Sequence, residues 1–328
     1  MELIKDISAR TARLLENGFY KDEGVRKTEL VHAPLLSKAT GLNIWFKCEN
    51  LQRTGSFKLR GATSALLNLS HERVEDGVLV ASSGNHGAAC ALAGSLLDIA
   101  VTVYVPESIA PGKEAKIKAA GATIVKVPGP SDRAELAAAK EATKSGKPYI
   151  SPYNHPDTIA GQGTIADEII SDLPEVDMIV ASVGGGGLIC GISARMQDLK
   201  QGVHMLACSP SQSPAFMESL KAGKVVDLPD LPTLSDGTAG GLDDDSITMP
   251  LGKALISEMV SVTEIEIAHT MKLIFQETGM VVEGAAAVAL GGLLECMDDH
   301  QGKTAVIILC GGNVTNERFQ EAIEMTHD

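Results

Sequence analysis

At 328 residues the chain is longer than one hydrophobic core usually organises, which sets an expectation of about two domains. Its 44% hydrophobic and 21% charged residues exclude wholesale disorder. With 42 acidic against 28 basic residues (net charge −14) and 3% aromatics, it has neither the basic footprint of a nucleic-acid or anionic-membrane binder nor a platform for stacking bases.

The N-terminus, Met1-Glu2-Leu3-Ile4-Lys5-Asp6, lacks the charged-then-apolar order of a signal peptide. The apolar stretch over 88–105 is broken by Ser95 and Asp98, so it reads as helix, turn and strand rather than a membrane span. Six scattered cysteines without a CxxC pair (Cys48, Cys90, Cys190, Cys208, Cys296 and Cys310) read as buried thiols. A cytoplasmic protein is expected, with no disulfide framework and no metal site.

Strand and helix patterns alternate along the chain. Gly77-Val78-Leu79-Val80-Ala81 reads as a strand, followed by an alanine-rich helix from His86 to Leu97. A β-branched strand over 100–105 stops at Pro106, a helix covers 113–120, and a strand over 123–127 stops at Pro128. Further strands are predicted over 178–183, 203–208 and 304–309. Continuous apolar strands separated by helices indicate parallel sheets buried on both faces, the α/β class. The patterns form two sets, which predicts a discontinuous large domain of residues 1–70 with 150–328 and a small α/β domain of residues 71–149. In such folds ligands bind beyond the carboxyl ends of strands.

Four short segments at strand ends or turns carry unusual chemistry. In Thr54-Gly55-Ser56-Phe57-Lys58-Leu59-Arg60-Gly61-Ala62, a lysine stands among small residues at the head of a helix pattern. It reads either as a solvated helix lysine or as a Schiff-base lysine made nucleophilic by desolvation. Ser82-Ser83-Gly84-Asn85-His86-Gly87 joins a strand to a helix, and its amides and hydroxyls could cradle a carboxylate or merely cap the helix. His86 reads there as a packed or capping residue before a general base. Val183-Gly184-Gly185-Gly186-Gly187-Leu188-Ile189 offers successive N–H groups to an anion such as phosphate. It does not match the dinucleotide fingerprint or a Walker loop. Leu309-Cys310-Gly311-Gly312-Asn313-Val314 ends a strand in a thiol and two glycines.

These segments in this order, with Ala160-Gly161-Gln162-Gly163-Thr164 and Ser235-Asp236-Gly237, resemble the fold type II pyridoxal-phosphate enzymes. The nearest group is the threonine/serine dehydratases with the serine racemases and hydroxyaspartate dehydratases. The resemblance implies a two-domain fold like that of the tryptophan synthase β chain, with pyridoxal 5′-phosphate as cofactor. It also implies an ammonia-lyase (carbon–oxygen lyase) that turns a small β-hydroxy amino acid into a 2-oxo acid and ammonia. Lys58 matches the cofactor-bearing lysine. Gly184, Gly185, Gly186 and Gly187, with Leu188, match the phosphate loop, and Asn85 matches the partner of the cofactor's 3′-oxygen. Cys310 stands where relatives place Ser or Cys against the pyridine nitrogen, and Phe57 and Glu283 fall beside the ring. Ser82, Ser83, Gly84, Asn85 and His86 match the substrate-carboxylate loop, with Asp236 also on the substrate side. Ser83 matches the opposite-face acid/base of serine racemases. Arg133 falls near an arginine facing a substrate β-carboxylate, although a surface arginine at a helix start is the competing reading.

Several positions depart from that pattern. Racemases of this branch hold a divalent ion through a Glu before a Pro and a later Asp; Ser209 and Ala215 stand there, so that metal site is expected to be lost or altered. Asp243-Asp244-Asp245 reads as an acidic surface turn. Glu283-Gly284-Ala285 replaces a Glu-Pro-Ser/Thr wall. The chain stops soon after Val314, so no C-terminal regulatory domain is expected. Relatives pair into dimers, and a homodimer is expected. Competing readings are an amino-acid racemase, a Ser56–Lys58 hydrolase and a non-catalytic amino-acid-binding protein.

Overall fold

The computed structural model describes residues 1–20, 24–229 and 231–327. Its strands are β1 (Leu30–His32), β2 (Asn43–Lys47), β3 (Val78–Ala81), β4 (Val101–Pro106), β5 (Thr123–Val127), β6 (Met178–Ser182), β7 (His204–Pro210), β8 (Glu258–Val262) and β9 (Thr304–Ile308). They form a six-stranded sheet in the order β1-β2-β9-β6-β7-β8 and a three-stranded sheet in the order β3-β4-β5. All neighbours run parallel except the short edge strand β1, which is antiparallel to β2.

Pattern predicts the central strands well because they are buried on both faces. Every residue of β6 and β9 is buried, as their unbroken apolar runs require. Strands β1, β2 and β8 fall outside the predicted set. β1 spans three residues, and β2 and β8 carry polar or half-buried positions that break the run.

The helix Lys58–Leu67 crosses the helix Pro156–Asp172 at a glycine contact. A Cβ on Gly161 would strike the Arg60 carbonyl and stand 2.8 Å from the Gly61 Cα, so both helices need bare backbone there. This close crossing anchors the helix that begins at Lys58. The core beneath the small sheet is completed by Leu14, Phe19, Val25, Leu59, Ala62 and Leu66, so that same helix also serves the small-sheet side. Among the described residues no helix is long and apolar enough to cross a membrane.

Candidate active site

Strands β2, β9 and β6 are parallel neighbours, so their carboxyl ends share one edge of the large sheet. The chain leaves β2 towards Lys58, β9 towards Cys310 and β6 towards Gly184. The register pairing Val180 with Ile307 sets the last two loops side by side, and Ser182 Oγ lies 3.5 Å from Cys310 Sγ. The lysine loop is stitched to the same edge: Ser56 bridges Gly311, and the Phe57 amide donates to Cys310 O at 3.0 Å. Three sequence-distant motifs therefore converge through sheet topology alone.

Lys58 opens its helix and is half-buried. Its Nζ donates to Pro152 O at 3.0 Å and lies 5.1 Å from the Phe57 ring centroid. Among the described residues no carboxylate pairs with it, and burial lowers its pKa to about 8. In the turn that leads into it, the hydroxyls of Thr54 and Ser56 are buried with no hydrogen-bond partner among the described residues. Ser56 therefore makes no bond to Lys58, and the nucleophile–base pair of a hydrolase is not assembled. The Cys310 thiol is buried, and burial together with the nearby Glu283 charge pushes it up to about 12.

The glycine loop meets the requirement for an anion. A Cβ on Gly184 would stand 2.7 Å from Thr238 O, one on Gly185 would strike the Tyr153 ring, and Gly186 has φ +83°. The loop opens the helix Gly187–Leu199. Among the described residues no protein acceptor takes the amides of Gly184, Gly185, Gly186, Gly187 or Leu188. Such a run of free donors at a helix start fits a phosphate dianion. With a lysine amine of lowered pKa nearby, the residues present fit pyridoxal phosphate.

The carboxyl end of β3 supplies the opposing loop. Ser82 Oγ accepts from the Gly84 amide at 3.1 Å, while the amides of Ser83, Asn85, His86 and Gly87 have no protein acceptor among the described residues. The Asn85 amide nitrogen donates to both Glu283 oxygens, at 3.0 and 3.1 Å. Its oxygen accepts from Asn313 Nδ2 at 2.8 Å. Asn313 also donates its main-chain N–H to Glu283 and its amide to Thr54 O, joining three of the four motifs. Burial raises the Glu283 pKa.

Other predicted residues lie less centrally. The His86 ring is buried with Nε2 2.8 Å from Ile150 O, and burial pushes its pKa down to about 3, so it is a neutral packed histidine. Arg133 is exposed on the first turn of the helix Ser131–Ser145, without an ion pair among the described residues. Asp236 is half-exposed, 3.7 Å from Lys113 Nζ and 3.6 Å from Arg318 Nη1. Ser209 is buried with Oγ 3.5 Å from Val183 O, and Ala215 is the first residue of a helix. Asp243 and Asp245 accept from Asn154 Nδ2 at 3.0 and 3.2 Å, which ties the acidic turn to the Tyr153 segment.

Sequence reasoning passed over Tyr153 and Ser182, and it quoted Asn313 without a role. An asparagine directly after two glycines at a strand end was a readable signal for the last. Tyr153 carried none, because its partner Gly185 is distant in sequence.

The family description "Pyridoxal-phosphate dependent enzyme" matches residues 21–311. The chain is 38% identical over 290 residues to an L-threonine ammonia-lyase of Thermotoga maritima, covering 88% of this chain and 72% of that protein. It is 33% identical over 296 residues to a beta-hydroxyaspartate dehydratase of Paracoccus denitrificans, covering 90% and 93%. The solved structure of processed threonine deaminase isoform 2 from Solanum lycopersicum superposes with a TM-score of 0.91 at 29% identity, covering 97% of this chain and 93% of that one. With the lysine, the free amide run and the strand-end convergence in place, the chain belongs to the fold type II pyridoxal-phosphate dependent enzymes, in the threonine/serine dehydratase family, and pyridoxal 5′-phosphate is its cofactor.

Proposed function

We propose that the chain is an ammonia-lyase taking a small β-hydroxy amino acid (threonine, serine or 3-hydroxyaspartate) to a 2-oxo acid and ammonia. The observation that carries this reading is Lys58, a carboxylate-free amine with its pKa lowered to about 8 where β2, β9 and β6 end together. The bound cofactor supplies an electron sink next to the substrate's α-carbon. The amides of Gly184 to Leu188 would hold its phosphate, with Phe57, Asn85 and Glu283 around its ring and Cys310 at the ring nitrogen.

Lys58 has two tasks at one atom. Its Nζ would hold the cofactor, and the same atom is placed to take the α-proton, which an amine with its pKa lowered to about 8 does far more readily at neutral pH than an ordinary lysine. The free amides of Ser83, Asn85, His86 and Gly87 receive the substrate carboxylate at a helix start. Cys310 remains a neutral thiol at neutral pH, so it does not hold the ring nitrogen protonated as a carboxylate would. A neutral partner at that position would favour loss of the β-hydroxyl over transamination. Residues 1–70 with 150–328 form the proposed cofactor domain and 71–149 the proposed substrate-loop domain. A homodimer is proposed from the family resemblance, and six free thiols support a cytoplasmic setting.

Racemisation is a second reading, favoured by one observation. The half-buried Ser83 hydroxyl next to Asn85 has no protein partner among the described residues, so it is free to exchange a proton. The deciding experiment incubates cofactor-loaded enzyme with serine, threonine and the stereoisomers of 3-hydroxyaspartate, assaying 2-oxo acid and the chirality of recovered substrate. Elimination is expected to dominate; inverted substrate lost in Ser83→Ala would establish the second activity. An Arg133→Ala variant with an unchanged ratio of dicarboxylate to threonine rates would remove Arg133 from the substrate site.

A further inference from the structure

At the opposite, amino-terminal edge of the large sheet, three side chains that the reaction does not use converge. His204 begins β7, Glu258 begins β8, and His300 ends a one-turn helix (Met297–His300) just before β9. His204 Nε2 and His300 Nε2 both lie 3.0 Å from the same oxygen, Glu258 Oε2. The three ligand atoms all fall within 4.8 Å of one another. The imidazole rings stand 4.9 Å apart with a 55° tilt, so their lone pairs can share one point without lying parallel.

We propose that His204, Glu258 and His300 bind a divalent transition-metal ion of the zinc class. A tetrahedral centre with bonds of about 2.0–2.1 Å separates its ligand atoms by roughly 3.3 Å, and the two His–Glu258 distances of 3.0 Å are already close to it. Two imidazoles and one carboxylate suit zinc and its late first-row neighbours and are a poor set for magnesium or calcium, which take oxygen donors. The set carries one formal negative charge against the ion's two positive ones, and the protein's −14 net charge favours cation capture. Side-chain exposures of 32%, 31% and 13% let an ion enter from solvent and leave the fourth position to water.

The frame is rigid, as a metal site requires. Glu258 is held by its register against Leu206, and the His204 amide donates to Asp177 O at 2.8 Å. Lys303 N–H donates to His300 O at 3.1 Å, closing the turn that leads into β9. Bound metal would cross-link the starts of β7, β8 and β9, whose far ends include the glycine loop's neighbours and Cys310. The site shares no residue with the crevice and stands whatever the substrate proves to be.

The test uses the full cofactor-loaded chain, stripped with chelator and titrated with Zn²⁺ against a chromophoric competitor. Wild type is expected to take up one ion per chain with micromolar or tighter affinity and to melt several degrees higher with zinc. Co²⁺ in its place should give the intense visible bands of a four-coordinate centre. The double variant His204→Gln/His300→Gln, whose amides can still donate to Glu258, should bind zinc at least tenfold more weakly. It should also lose the thermal shift while keeping its cofactor absorbance. Equal zinc uptake by wild type and the double variant would overturn the proposal, as would a wild type that binds zinc no better than magnesium. Should the double variant not fold, Glu258→Gln answers the same question: undiminished zinc affinity there overturns it.

Discussion

Lys58 and Arg60 begin the same helix and meet opposite environments. Arg60 is fully buried and grips Glu49 through two 2.8 Å bonds, from Nε and Nη2, while Nη1 reaches Glu168 at 2.6 Å. Lys47 adds a second cation, 2.6 Å from Glu168, and Tyr20 and Thr28 donate to the remaining carboxylate lone pairs. Two positive and two negative charges cancel, and every carboxylate oxygen has a partner. Lys58 has one neutral carbonyl as its hydrogen-bond partner, and the turn before it carries two hydroxyls unpartnered among the described residues. Burial pulls its pKa down to about 8; it would raise Glu168, yet Arg60 and Lys47 hold that carboxyl at about 2. The comparison teaches that a satisfied charge network directly behind a crevice lets the groups facing into it stay unsatisfied, and therefore reactive.

The largest effect should come from removing the unsatisfied group. Lys58→Ala is expected to lower 2-oxo acid release by about 10⁴-fold or more, because the cofactor tether and the proton acceptor vanish together. The unfolding free energy of its apoprotein, from urea titration, should stay close to that of wild-type apoprotein, since no ion pair among the described residues is broken. In wild-type apoprotein, acylation of Lys58 followed by mass spectrometry should reach half its maximum rate near pH 8, because only the neutral amine reacts. Exposed lysines should do so at about pH 10.4. A half-maximum for Lys58 at the exposed value would show that it is solvated.

Glu168→Gln reverses the outcome. Leaving Arg60 and Lys47 one carboxylate short should cost about 3–5 kcal/mol of stability in urea, with activity per folded molecule changed little. The pH dependence follows from the lowered carboxyl. Its stabilising contribution is fully present above the ordinary carboxylate range and is lost as pH falls towards about 2. The wild type should therefore lose stability over that acid range more steeply than the variant.

Gly185→Ala probes the boundary between the two regions. Its Cβ would press on the Tyr153 ring, at a cost of about 1–3 kcal/mol if the loop must shift. Titrating apoprotein with pyridoxal phosphate should show affinity weakened roughly tenfold to a hundredfold, since the amide run is displaced. Unaltered affinity would mean that the ring, and not the loop, gives way.

How far these features were legible in the sequence follows the same division. The crevice motifs were readable because their chemistry is local: glycines in sequence, a lysine at a helix head, a serine–asparagine turn. Their convergence needed only the parallel-sheet rule that loops gather at carboxyl ends. The charge network was not readable, because Lys47, Glu49, Arg60 and Glu168 look like ordinary helix and strand charges until the helix crossing at Gly61 and Gly161 brings them together. The His204–Glu258–His300 cluster stayed hidden for the same reason, having no metal-ligand spacing along the chain. The Arg133 expectation rested on alignment to relatives alone, and an exposed helix start has no local feature to distinguish it.

The smallest effect is expected at Cys310, and its smallness is informative. Both a thiol and a hydroxyl are neutral at pH 7 and offer a weak donor and acceptor to a ring nitrogen. Cys310→Ser should therefore keep turnover within about threefold and leave the ratio of elimination to transamination unaltered. Because burial and the Glu283 charge push the Cys310 thiol up to about 12, no limb of the rate profile at neutral pH belongs to it. Rate against pH should superpose for wild type and variant across that range, once scaled to their maxima. A limb that disappeared with the sulfur would mean that the thiol ionises during turnover. Cys310 would then be an acid or base in the reaction and not a neutral partner at the ring nitrogen.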